Sequence, residues 1–230
     1  MDTPKMNGSV VDLAGNWVYR LGGVASLAIG VAYLAIIALY ASVGAPPVGG
    51  EAWLTYLAGK TTAWWAIVGV SVLTNFLFVP VALSLYFALS RVNRIATLIG
   101  VAFVGLFVTL ELAVNWASYA SLIMLSQDYA AAANESQRAI LVAAASYPSA
   151  VIASPLALVY AIGTLSFGFL VIGLVMLKGV FNKLTAYVGI VTGILGIAAV
   201  AGVNLAVILN AVSATIWLFL VGYRLYRLAE

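Results

Sequence analysis

The residue of this chain that is best suited to chemistry is Glu111, an acidic side chain deep inside a long apolar stretch. Asn115 and Tyr119 follow it at intervals of four residues, so in a helix the three side chains form one polar stripe. Carboxylates are rare in membrane-spanning helices because burying a charge in hydrocarbon is costly, and those that occur often mark ion or ligand pathways. Glu111 is therefore our first candidate for a ligand-binding residue.

A neighbouring apolar stretch supplies further polar groups that we expect near Glu111. If the two stretches form an antiparallel hairpin, Asn75 and Glu111 lie at nearly the same depth, about 15 and about 16 helical residues from its closed end. That depth is near the middle of a bilayer. Pro80 has no N–H to donate to the carbonyl of Phe76, so we expect a kink and a free carbonyl beside Asn75.

Hydroxyl side chains of two later apolar stretches are expected at a similar depth: Thr164 and Ser166 in one, Ser213 and Thr215 in the other. With the carboxylate, the amides and the free carbonyl, they form a set of hard oxygen atoms. Such a set could bind a cation, a proton or the polar headgroup of a ligand. The candidate ligand-binding residues are Glu111, Asn75, Asn115, Tyr119, Thr164 and Ser166, with Pro80 as a structural kink.

Purely structural roles are the alternatives for these residues. A protonated Glu111 that shares a hydrogen bond with Asn75 would only hold two helices together. Another helix register would place Glu111 in an interface with a partner chain. Asn75, Asn115, Asn204 and Asn210, taken alone, are more typical of hydrogen bonds between helices than of ligand sites.

The composition restricts both the environment and the chemistry of the chain. Of its 230 residues, 65% are hydrophobic and only 7% are charged, whereas a soluble domain has about 25% charged residues, so lipid must be the main solvent. The absence of cysteine and histidine excludes disulfides, thiolate catalysis and the usual zinc, copper, haem and iron–sulfur sites. We therefore predict no catalytic residue, no metal site, no cofactor and, since the basic residues are few and scattered, no nucleic-acid partner.

The apolar stretches predict an all-α, polytopic transmembrane bundle of six helices in a single domain, residues 1–230. Asn134 and Gln137 resemble a capping box for an amphipathic helix at 134–147 on the outer face, which Pro148 should end. Ser154 and Pro155 then begin the fourth span. The spans, each near the roughly 20 residues that a crossing needs, lie at about 17–43, 62–89, 95–125, 154–177, 184–201 and 203–226, with outer segments at 44–61 and 126–153.

The lysine and arginine residues predict the orientation of these spans. Eight of them lie on the side of the termini and two on the other side, so the positive-inside rule predicts that both termini are cytoplasmic. The expected location is the inner, cytoplasmic cell membrane. The eight inner residues are Lys5, Arg20, Arg91, Arg94, Lys178, Lys183, Arg224 and Arg227, and the two outer ones are Lys60 and Arg138.

Three stretches carry a resemblance to one bacterial family: LSRVNR at 89–94, the alanine-rich segment at 129–145 with its ESQR, and KLTAYVGI at 183–190. The chain resembles the uncharacterised integral-membrane family catalogued as domain of unknown function 4386, over residues 20–228. These motifs are loop and hinge patterns. The resemblance implies a six-helix membrane protein, and it brings no established activity and no functional residues.

Two functions follow from these patterns. The first is binding or translocation of a small ligand, ion or lipid through a polar site at the bilayer midplane around Glu111. Because six helices form only a narrow path, translocation would require a homo-oligomer. The second is a non-catalytic accessory or assembly subunit of a larger membrane complex, as the small size and the missing soluble domain indicate. An intramembrane enzyme is disfavoured, because a single carboxylate without His or Cys offers little catalytic machinery.

Overall fold

A computed structural model describes residues 15–230, and all regular secondary structure within them is helical. Lys5 of the predicted charge bias lies outside the described residues. Two short π-helical segments, π1 and π2, interrupt the α-helices. The elements are α1 (Asn16–Val43), α2 (Gly50–Tyr56), α3 (Thr61–Leu110), π1 (Glu111–Trp116), α4 (Ala117–Ala131), α5 (Glu135–Ala153), α6 (Pro155–Leu158), π2 (Val159–Gly163), α7 (Thr164–Met176), α8 (Lys183–Val200) and α9 (Asn204–Leu228).

Five helical stretches of the described chain are long and apolar enough to cross a membrane. The prediction of an all-helical fold with several such helices is therefore confirmed. One stretch is far too long for a single crossing, because its 71 residues would extend over about 107 Å as a straight helix. The five stretches are Asn16–Val43, Thr61–Ala131, Pro155–Met176, Lys183–Val200 and Asn204–Leu228.

The longest stretch folds back on itself at Asn93. This residue has an extended backbone, with φ −156° and ψ 97°, and its side-chain oxygen accepts a hydrogen bond from the backbone N–H of Ala96 at 3.0 Å. The rings of Phe78 and Phe107, 29 residues apart, have centroids only 5.4 Å apart, whereas a straight helix would separate them by about 43 Å. The predicted hairpin between Asn75 and Glu111 therefore exists, and its loop is a single non-helical residue.

Small residues let the helices of the bundle approach closely. Gly23 of α1 faces Gly222 of α9, and a Cβ atom at Gly23 would lie 2.9 Å from the Gly222 carbonyl oxygen. Trp217 of α9 is fully buried, with its ring 4.3 Å from that of Phe169 of α7. Glycine at position 189 of α8 makes room for this indole, because a Cβ atom there would overlap it.

A second layer covers the end of the bundle at which α1 terminates. The short helix α2 packs on α5, where a Cβ atom at Gly50 would lie 2.9 Å from the carbonyl oxygen of Val142. The Tyr56 hydroxyl and the Lys60 ammonium both donate hydrogen bonds, each of 3.0 Å, to the carbonyl oxygen of Val43. These bonds satisfy a carbonyl group at the C-terminus of α1, which has no partner within the helix. The segments 44–61 and 126–153 therefore contain helices that pack together at this end of the bundle.

The helix α5 departs from its prediction at Pro148. Asn134 caps the helix as predicted, since its side chain accepts a hydrogen bond from the Gln137 N–H at 2.9 Å. The prediction that Pro148 ends the helix is wrong, because α5 continues through it to Ala153. Proline removes one helical hydrogen bond, here to the carbonyl of Ala144, and Ala144 lies on the exposed side, where that loss costs little.

The chain stops being helical six residues after Pro148, at the predicted start of the fourth span. Ser154 is extended, with ψ 149°, because the residue before a proline avoids helical geometry. Pro155 then occupies the first helical position, as predicted. The Ser154 hydroxyl does not cap α6, however, and donates instead to the carbonyl oxygen of Val151 at 2.8 Å.

Candidate ligand-binding site

A cavity of about 440 Å³ lies among the C-terminal half of α1, the N-terminal half of α9, the hairpin of α3 with π1, and π2. Glu111 lines this cavity and is only 5% exposed. Asn75, Asn115 and Tyr119 line it too. The structure thus brings four of the six predicted ligand-binding residues together around one space.

Glu111 begins π1, and its carboxylate accepts a hydrogen bond from the Asn115 amide of the same segment. Asn115 also reaches across to α6, donating to the carbonyl oxygen of Ala157 at 3.3 Å. The segment π2 begins two residues after Ala157, so two π-helical segments meet beside the carboxylate. π-Helical insertions are rare and are frequent at functional sites. The periodicity of the sequence did not reveal either segment, since both lie within continuous apolar runs.

Several buried polar atoms of the cavity wall have no hydrogen-bond partner in the described chain. They include the amide nitrogen of Asn75, the side-chain oxygen of Asn115 and the hydroxyl oxygen of Ser71. The three residues are at most 4% exposed. Leaving a buried polar group unpaired costs about 1–3 kcal/mol, so a polar ligand that bonded to these atoms would recover free energy.

The rest of the cavity wall consists mainly of aromatic and aliphatic side chains. Five aromatic side chains surround the space near Glu111, and sequence reasoning had singled out only Tyr119 among them as a candidate. Seven-residue spacing on α1 could have indicated the two tyrosines at 33 and 40, and four-residue spacing before Asn75 could have indicated Ser71. The aromatic residues are Tyr33, Tyr40, Phe107, Trp116 and Tyr119, and the aliphatic wall includes Ile36, Ile37, Val207 and Ala211.

Two predicted binding residues, Thr164 and Ser166, do not line the cavity. The Thr164 hydroxyl donates to the carbonyl oxygen of Tyr160 at 2.8 Å, within its own helix. Ser166 accepts a hydrogen bond of 3.2 Å from Asn210, whose amide also donates to the carbonyl oxygen of Thr192 at 2.8 Å. These groups hold α7, α8 and α9 together, which is the structural role expected of a polar residue between helices.

The predicted kink residue Pro80 also lies away from the cavity. It lines a separate groove with Trp17, and the backbone of α3 stays helical across it. The Phe76 side chain points outward and is 58% exposed. The Ser84 hydroxyl donates to the Pro80 carbonyl at 2.8 Å and lies 2.7 Å from that of Val18, which ties α3 to α1. Pro80 therefore contributes to helix packing and not to the wall around Glu111.

Among the described residues that line the cavity, Glu111 is the one acidic side chain and none is lysine or arginine. The ion pairs of Glu135 with Arg138 and of Arg227 with Glu230 are exposed and lie elsewhere. Within residues 15–230, no group of three or more His, Cys, Asp or Glu side chains could hold a metal ion.

Comparison of the chain with known proteins finds no matching family model, no matching curated protein and no matching solved structure. The resemblance to the family with domain of unknown function 4386 stays a prediction. The geometry around Glu111 therefore carries the functional argument.

Proposed function

We propose that this chain is an integral membrane protein that binds a small ligand in the cavity around Glu111. One observation carries the proposal: an almost fully buried carboxylate lines an internal cavity together with unpaired polar atoms of Asn75, Asn115 and Ser71. The volume of about 440 Å³ falls within the range of roughly 300–1,000 Å³ that is usual for small-molecule sites.

We also propose six membrane crossings with both termini in the cytoplasm, in an inner cell membrane. The turn at Asn93 supports this count, because it divides the longest apolar stretch into two antiparallel arms. The excess of basic residues at Arg91, Arg94, Lys178 and Lys183 supports the orientation. In this arrangement α2 and α5 cover the outer end of the bundle.

The alternative function, an accessory subunit of a larger membrane complex, has less support. An interaction subunit needs a complementary face, whereas the polar groups around Glu111 are buried in the wall of a cavity lined by helices of a single chain. Ligand binding makes use of these groups, and the accessory role leaves them unexplained. Translocation of the ligand would be a further step, for which we propose a homo-oligomer or a larger membrane complex, because six helices alone form a narrow path.

The binding proposal can be tested with three probes of one shape and different charge: 4-phenylbutanol, 4-phenylbutylamine and 4-phenylbutyrate. Each is added to the full chain in lipid nanodiscs, and the melting temperature is measured. A ligand that binds only the folded state raises that temperature with its concentration. We expect at least one probe to stabilise the wild-type protein.

Two neighbouring tryptophan substitutions on α9 show whether the stabilisation comes from the cavity. Ala211→Trp fills the cavity, whereas Val212→Trp adds the same side chain to an exposed position one residue away. We expect Ala211→Trp to abolish the shift and Val212→Trp to retain it. If no probe stabilises the wild-type protein, or if both variants respond alike, the cavity is not a ligand site.

A further inference from the structure

The charge balance of the cavity narrows the class of ligand. Glu111 is the one carboxylate among its described lining residues, and no lysine or arginine accompanies it. A carboxylate buried without a counter-charge is costly, and a bound cation would offset that cost. An anionic ligand would instead place a second negative charge beside Glu111 and is disfavoured.

The wall is poorly suited to a bare metal ion. Calcium takes six to eight oxygen ligands, and magnesium requires a near-octahedral set. The free oxygen atoms that converge here come mainly from Glu111, Asn115 and Ser71. The volume is also many times that of a single ion.

Aromatic rings make the same wall well suited to an organic cation. Tyr33, Tyr40, Phe107, Trp116 and Tyr119 all line the cavity beside the carboxylate. The faces of aromatic rings attract ammonium groups, and cages of such rings recognise quaternary ammonium ligands in other proteins. Neighbouring rings hold Tyr119 in place, since it stacks on Trp64 with a centroid distance of 5.3 Å and lies 5.4 Å from Trp116.

Aliphatic side chains of the same cavity favour an apolar body for the ligand. Ile36 and Ile37 of α1 line it together with Val207 and Ala211 of α9. These residues are partly exposed, and Ile37 is 43% exposed on the outer surface of the bundle. In a membrane this surface would contact hydrocarbon, which would give a lipophilic molecule access to the cavity without crossing water.

We propose that the ligand is a lipophilic organic cation, a substituted or quaternary amine, held with its charge between the Glu111 carboxylate and the surrounding aromatic rings. The inference rests on the proposed function, that the cavity binds a small ligand, and it specifies the chemical class. Asn75 and Ser71 then offer hydrogen bonds to any polar substituent of that molecule.

A pair of probes with the same shape isolates the effect of charge. Benzyltrimethylammonium carries a quaternary nitrogen where neopentylbenzene has a neutral carbon. Dissociation constants are measured in nanodiscs by calorimetry for the wild-type protein and for Glu111→Gln. We expect the cation to bind about tenfold or more tightly than its neutral counterpart, and Glu111→Gln to remove that preference without weakening the neutral probe.

Control variants distinguish the carboxylate from general charge effects. Asp128→Asn removes another acidic side chain that does not line the cavity, and it should leave the preference for the cation unchanged. Tyr33→Phe keeps an aromatic ring at the cavity and should retain binding, whereas Tyr33→Leu should weaken binding of the cation several-fold more than that of the neutral probe. Circular dichroism of each variant verifies that it is folded.

The outcomes separate the two proposals. If both probes bind equally and Ala211→Trp abolishes their binding, the cavity is a ligand site but its ligand is not a cation. A preference for the cation that survives in Glu111→Gln would also overturn the class. Binding of the cation that Ala211→Trp leaves unchanged would overturn both proposals, because the probe would then bind outside the cavity. If neither probe binds, the proposal of a cationic ligand is wrong. The melting temperatures with the three phenylbutyl probes then show whether the cavity is a ligand site.

Discussion

At the scale of single residues, the position of the Glu111 carboxylate depends on a hydrogen bond from Asn115. The Asn115 amide donates to the carboxylate of Glu111 and to the carbonyl oxygen of Ala157, so one side chain links π1 to α6. It therefore both positions the carboxylate and holds the cavity wall together. Sequence spacing placed Asn115 on the same face as Glu111, but it could not identify the carbonyl on the other helix, which is 42 residues away.

Asn115→Ala should destabilise the protein by about 1–3 kcal/mol, because it leaves buried acceptors without their donor. The free energy of unfolding, measured by denaturant titration in micelles, tests this expectation. Thr109→Ala is a matched control on the same arm of the hairpin, since the exposed Thr109 hydroxyl bonds only to Gly105 of its own helix. The control should change stability by less than about 0.5 kcal/mol. Equal effects of the two substitutions would show that Asn115 contributes no more to the stability of the protein than the exposed Thr109.

At the scale of helices, close packing of α7 on α8 depends on a glycine. A Cβ atom at Gly196 would overlap the Ser166 side chain and lie 2.9 Å from the amide nitrogen of Asn210. Ser166 and Asn210 are themselves hydrogen-bonded, so this contact joins three helices. Ser166, which was predicted as a ligand, belongs to this packing interface, whereas the hydroxyl of Thr164 bonds to Tyr160 in its own helical stretch.

Gly196→Ala should cost about 1–3 kcal/mol of stability through overpacking. In a Ser166→Gly background the same substitution should cost less, because the overlapping hydroxymethyl group is gone. Gly105→Ala is the control, because a Cβ atom at this position would have no neighbouring atom of another helix within 4 Å. The added methyl group should therefore stabilise the helix by about 0.5–1 kcal/mol. The stabilities are compared by melting curves of Gly196→Ala, Ser166→Gly, the double variant and Gly105→Ala. An unchanged cost of Gly196→Ala in the Ser166→Gly background would contradict the proposed clash.

Helix boundaries show which features the sequence could predict. The sequence predicted a helix end correctly where the chemistry of one residue determines it, as with the Asn134 cap and with Pro155 at the start of α6. It failed at Pro148, because the cost of a proline depends on where its lost hydrogen-bond acceptor lies in the fold. The residues of the aromatic wall come from α1, α3, π1 and α4, and only tertiary packing brings them together.

At the scale of the whole molecule, the turn at Asn93 divides the longest apolar stretch into two antiparallel arms. Helices α1 and α7 pack against these arms, whereas α8 packs on α7 and α9, and α9 packs on α1 and α8. The sequence predicted this hairpin, because two apolar stretches at about 62–89 and 95–125, each near the length of one crossing, flank the short basic loop Arg91–Arg94. The turn between α8 and α9 is tight, and Gly202 adopts a φ of 95° there.

The proposed topology can be tested by labelling single cysteines, and the chain has no native cysteine to interfere. A membrane-impermeant maleimide is applied to intact cells and to lysed cells that carry the exposed positions Arg94, Ser136 or Glu230 replaced by cysteine. We expect Ser136→Cys to react in intact cells, and Arg94→Cys and Glu230→Cys to react only after lysis. Labelling of Ser136 and Glu230 on the same side would contradict six crossings.

The π-helical segment beside Glu111 also sets the direction of the side chains that follow it. A π-helical turn holds one residue more than the α-helical turn it interrupts. Deleting Leu112 would restore a regular helix and turn everything beyond it, including Tyr119, by about 100° relative to Glu111. The loss of a single codon would therefore move the Tyr119 ring out of the cavity wall.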